Sequence, residues 1–104
     1  MSIEKFRRAL LHDSPPVAWS RPLQALWYQG KGDWQRAHAV AQNIDSADGF
    51  WVHAHLHRME GERVNAGYWY RCAGRTPSGS SIAQEFEEIV ATLLQALSRR
   101  RSER

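Results

Sequence analysis

An all-α fold is predicted for this chain on three observations. Apolar residues recur at helical spacing from end to end, no stretch alternates as a strand does, and every break carries proline, glycine or a capping residue. The 104 residues suit one compact unit, and 42% hydrophobic with 24% charged residues is ordinary for a globular domain.

The first helix is expected after Ser2, with Ile3, Phe6 and Leu10 on one face, ending at Asp13-Ser14-Pro15-Pro16 because successive prolines cannot continue it. Ser20 reads as an N-cap with Pro22 tolerated in the first turn. The second helix carries Leu23, Leu26 and Trp27 and stops at Gly30-Lys31-Gly32. Asp33 caps a third helix, with Ala37, Ala41 and Ile44 at three- and four-residue spacing. The polar run Asp45-Ser46-Ala47-Asp48-Gly49 separates it from a fourth, about 50–60. Gly61 turns the chain into a fifth, about 62–73, which is apolar nearly all round through Tyr68, Trp69, Tyr70 and Cys72 and therefore expected between the fourth and sixth. In the sixth, about 81–98, Ser81 and Gln84 form a capping-box pattern. Glu85, Glu87 and Glu88 complement the positive end of its dipole, and Ile82, Phe86, Ile89, Leu93 and Leu97 form its apolar face.

An internal repeat is visible at an offset of 29 residues: Gly32-Asp33-Trp34-Gln35-Arg36-Ala37 matches Gly61-Glu62-Arg63-Val64-Asn65-Ala66, and Ala25 matches Ala54. Each copy reads helix, Gly-acidic turn, helix, with small residues where the helices cross. The units span about 20–44 and 48–74. An accidental pair of hairpins is the competing explanation. The pattern resembles tetratricopeptide-type repeats, and Ala66-Gly67-Tyr68-Trp69-Tyr70-Arg71-Cys72-Ala73 is similar to the Sel1-like relative. The stretch His53-Ala54-x-Leu56-His57-Arg58-x-Glu60-Gly61 also resembles small bacterial proteins carrying that segment. The resemblance covers roughly 20–74. It departs from the family in its spacing, shorter than the ~34 residues of tetratricopeptides, and in Ala41, where a large aromatic is usual. It implies two antiparallel hairpins with an N-terminal helix and a long C-terminal capping helix, in one domain over 1–98. It also implies a concave surface that binds peptides or protein domains.

Charge is concentrated. The balance is 14 basic against 11 acidic residues, and 99–104 alone hold four Arg and one Glu, so the remainder is neutral. A neutral body with a basic tail is unlike a uniformly basic nucleic-acid module, so nucleic acid is not the expected partner. A frayed helix end complementing the dipole accounts for the tail. No apolar run approaches the ~18 residues of a membrane span, and the charged start does not read as a secretory signal. A single cysteine, Cys72, excludes an internal disulfide and suits a reducing compartment, so the cytoplasm is the expected address. With no partner motif, Cys72 is expected to be a buried, inert thiol.

Five Trp and five His are many for this length. His53 and His57, four apart, share a helix face, while His55 points ~160° away. Such a pair is half of a divalent-metal site, zinc for example, with His38 or Glu60 as candidate third ligands and hydrolytic chemistry as an extension. The competing expectation is structural: two buried His hydrogen-bonded among Asn65, Gln42 and tyrosine hydroxyls. The opposite face carries Trp51, His55 and Arg58, and the superfamily resemblance would line the concave groove with them. A non-enzymatic module presenting these residues, with Trp19 and Trp27, to a peptide is the leading functional expectation. A homodimer is compatible with either.

Overall fold

The computed structural model describes residues 3–102. Glu103 and Arg104 of the basic tail lie outside the described residues, as do the side chains of Arg101 and Ser102. Six helices and no strand are present among the described residues: α1 (Ile3–Ala9), α2 (Arg21–Gly30), α3 (Trp34–Ala41), α4 (Ala47–Met59), α5 (Arg63–Ala73) and α6 (Ile82–Ser102). None is long and apolar enough to cross a membrane. α2 packs on α3 and α4 on α5, while α4 also touches α3, α2 and α6. Through these contacts α4 becomes the central helix, which is why seven of its thirteen residues are buried.

The turns follow from local chemistry. Gly32 and Gly61, at the matched repeat positions, take φ of 82° and 75°, the left-handed region in which a Cβ is strained. Asp33 accepts the Arg36 amide, leaving one fewer orphan donor at the start of α3. The four repeat alanines, Ala25, Ala37, Ala54 and Ala66, are all buried.

Two boundaries and the packing of α5 differ from expectation. α4 begins at Ala47, within the run read as a polar break, because the Ser46 hydroxyl accepts the Gly49 amide and nucleates the helix earlier. Gly49 is required there, since a Cβ would lie 2.4 Å from Ile44 Cγ2. α6 runs through the first basic residues of the tail to Ser102. Its buried face is Glu85, Ile89, Val90, Leu93 and Leu94, rotated so that Ile82 is left 40% exposed. α5 is not sandwiched: only Ala66 and Tyr70 are fully buried, and Val64, Tyr68 and Cys72 face solvent, so Cys72 is not the buried thiol expected.

Candidate metal centre

The i, i+4 spacing on α4 stacks the His53 and His57 rings 4.9 Å apart, and α3 brings His38 against both. His38 Nε2 lies 3.0 Å from His53 Nε2. One potential ligand nitrogen from each of the three falls within 4.8 Å of the others. Of the two third ligands anticipated, His38 is the one the fold delivers. Glu60 is the exposed C-cap of α4 and is not part of this group.

Each ring is held by a second residue. Trp34, in the first turn of α3, donates its indole N–H to the Leu56 carbonyl at 2.9 Å and stacks on His38 at 4.9 Å. Trp69 of α5 stacks on His53 at 4.0 Å. Glu62, the residue before α5, accepts from His57 Nδ1 at 2.8 Å. A carboxylate on Nδ1 fixes the imidazole tautomer and leaves the Nε2 lone pair free. Asn65, Gln42 and tyrosine hydroxyls, anticipated as structural partners, do not fill this role in the observed bonds. Glu62 and the two tryptophans were not anticipated, although Glu62, five residues after His57 across a one-glycine turn, was within reach of a spacing argument.

Burial lowers the pKa of His53 to about 4, with His38 and His57 reinforcing the shift by charge repulsion. His38 is lowered by burial first and by His57 second, with Glu62 opposing. Both are therefore neutral at pH 7, the form that donates a lone pair.

The opposite side of α4 holds a second polar cluster that sequence reading did not identify. Glu85 of α6, 1% exposed, accepts from His55 Nδ1 at 2.6 Å, from Arg58 Nη1 at 3.0 Å and from the Tyr70 hydroxyl. Burial alone would raise the Glu85 pKa, but the His55, Tyr70 and Arg58 hydrogen bonds outweigh it and hold the carboxyl below its usual value. Burial, then the Glu85 hydrogen bond and charge, push Tyr70 far up. Gln29 turns its NH2 to His55 Nε2 at 3.0 Å, which leaves Gln29 Oε1 without a partner. Arg58 also donates to the Ser80 and Ser81 carbonyls, tying down the strap between α5 and α6.

This arrangement corrects the groove expectation. Trp51 and His55 are 3% and 0% exposed, and Trp19 and Trp27 are equally buried, so none of the four is presented to a partner. Their face of α4 turns inward because α6 supplies a carboxylate for His55 and Arg58, and Arg75 covers the Trp51 ring at 3.4 Å. Trp27 spends its N–H on the Ala9 carbonyl and Trp19 stacks on Phe6. Arg58 alone remains half-buried.

No protein-family model matches the chain, and no similar curated protein or solved structure was found.

Proposed function

We propose that the chain binds a divalent transition-metal ion, zinc foremost, through His38, His53 and His57. One observation carries this reading: three imidazoles from two helices converge with their donor atoms within 4.8 Å. Tetrahedral zinc with bonds of 2.0–2.1 Å sets its nitrogens about 3.3 Å apart, so the widest pair needs to close by about 1.5 Å. His38 and His53 are already at 3.0 Å. Imidazole suits zinc, copper and nickel better than magnesium or calcium, and the Glu62 contact adds the carboxylate that metal-bound histidines usually have behind them. Three protein ligands leave a fourth position for water.

The twin-hairpin reading fits this function. In it α2–α3 and α4–α5 are two tetratricopeptide-like units, supported by left-handed Gly32 and Gly61 at the same repeat position and by buried alanines at the crossings. His38 then belongs to one unit and His53 and His57 to the other, so the ion bridges them.

The test is calorimetric titration of zinc into chelator-treated protein. The expected result is one ion per chain, with affinity 10–100-fold weaker in Glu62→Gln and binding lost in His57→Gln, both variants keeping the helical circular dichroism of the parent. Absence of zinc binding, or binding unchanged by His57→Gln, overturns the proposal.

A further inference from the structure

A metal ion sits in the plane of each imidazole that ligates it, along the nitrogen lone pair, so the tilt of the rings decides where an ion can be held. The planes of His38 and His53 cross at 78°, and two crossing planes meet in a single line. Fixing both tilts therefore confines an ion to that line.

Metal-bound histidines are usually aimed by a hydrogen bond at the ring nitrogen that faces away from the metal. His57 has one, to Glu62 at 2.8 Å. His38 and His53 lack it: among the described residues, the only hydrogen bond of either ring is the 3.0 Å contact between their two Nε2 atoms. Their planes are held by stacking instead. Trp69 lies 4.0 Å from His53 at an interplanar angle of 16°, and His57 lies 4.9 Å from it at 22°, so turning the His53 ring breaks two near-parallel contacts. Trp34 lies 4.9 Å from His38 at 7°. Each indole is in turn braced, Trp34 by its bond to the Leu56 carbonyl and Trp69 by Phe50 at 5.7 Å and Tyr68 at 4.9 Å.

We propose that Trp34 and Trp69 are positioning residues of the metal site, which set the planes of His38 and His53 in advance and leave His57 as the ligand that moves. The inference rests on the zinc reading above. His38 and His53 already stand at 3.0 Å, so the separation of up to 4.8 Å involves His57. Rings set beforehand need no ordering when the ion binds, and affinity gains by that saving.

The experiment compares the full chain with Trp69→Met, which fills space without a plane to stack, and with Trp69→Phe, which restores a plane. Zinc affinity is read by calorimetry, the coordination geometry by the visible spectrum of cobalt(II) in place of zinc, and stability by urea. Trp69→Met is expected to weaken zinc ten-fold or more and to alter the cobalt spectrum, while Trp69→Phe stays within three-fold of the parent with the parental spectrum. Trp34→Met carries the same expectation through His38 and replaces Trp69→Met if that variant loses its helical circular dichroism. A merely structural role lowers the urea midpoint but leaves the cobalt spectrum of the folded protein unaltered, and that result overturns the proposal. So does equal weakening in Trp69→Met and Trp69→Phe. Either outcome leaves the three-histidine site standing, whereas a parent that binds no zinc overturns the site and this inference with it.

Discussion

Replacing Glu85 with alanine should be among the most damaging single changes in this protein. The carboxylate is buried and receives three donors, from His55, Arg58 and Tyr70. Its removal leaves the Arg58 charge without its counterion and two buried donors without an acceptor. Breaking a buried ion pair from one side costs about 3–5 kcal/mol, against a total stability of roughly 5–15 kcal/mol for a domain. At roughly 4–8 °C per kcal/mol for a chain near this size, melting should fall by at least about 12 °C. Glu85→Gln keeps one acceptor oxygen but turns an amide N–H toward donors, so a smaller loss of about 2 kcal/mol is expected. Urea unfolding followed by tryptophan fluorescence and circular dichroism measures all of this, with Glu88→Ala, at an exposed position one turn on, as the control within about 0.5 kcal/mol of the parent. Because the folded pKa of Glu85 is depressed, its contribution is present above the unfolded carboxyl value of 4.5 and fades as pH falls through the folded one. The gap between parent and Glu85→Gln should therefore narrow below pH 4.5. A Glu85→Ala protein within 1 kcal/mol of the parent would refute the hub.

His53 supplies a second acid response. Its pKa of about 4 in the fold, against 6.5 unfolded, means that stability is full above pH 6.5 and is lost as pH falls from there to about 4. The loss amounts to roughly 3 kcal/mol in metal-free protein, and His53→Gln should flatten this limb of the pH–stability curve. Trp34→Phe keeps a ring over His38 but leaves the Leu56 carbonyl without its donor, costing about 1–2 kcal/mol by urea titration and weakening zinc measurably. Gly49→Ala forces a methyl onto Ile44 and should destabilise by more than 1 kcal/mol. Gly67→Ala meets nothing closer than 3.7 Å inside α5 and should stabilise by up to about 1 kcal/mol, both read as urea midpoints.

Much of the helix order was legible in the sequence because its punctuation is chemical: Pro15-Pro16, the Asp33 cap, the left-handed glycines and the Ser81–Gln84 capping box each act within a turn. The Ser81–Gln84 box forms reciprocally, at 3.1 and 3.2 Å. The His53–His57 pair was legible for the same reason, since i, i+4 geometry is local. What escaped is what depends on rotation between elements. Glu85 reads as a dipole-complementing surface residue until α6 is rolled by one position, and then it becomes the one fully buried acid among the described residues. Trp51 and His55 read as a binding face until that carboxylate is placed opposite them. Periodicity tells that a helix has two faces and does not tell which neighbour owns each, and here the polar face was claimed by an internal partner.

The central claim is that three imidazoles of this chain hold one metal ion, and X-ray absorption on the zinc-loaded protein tests it most directly. The account predicts a four-coordinate first shell of nitrogen and oxygen near 2.0–2.1 Å, with the outer-shell scattering of three histidine rings. A sulfur shell near 2.3 Å, which only the exposed Cys72 or a methionine could supply, or a six-coordinate shell of oxygens, would contradict it.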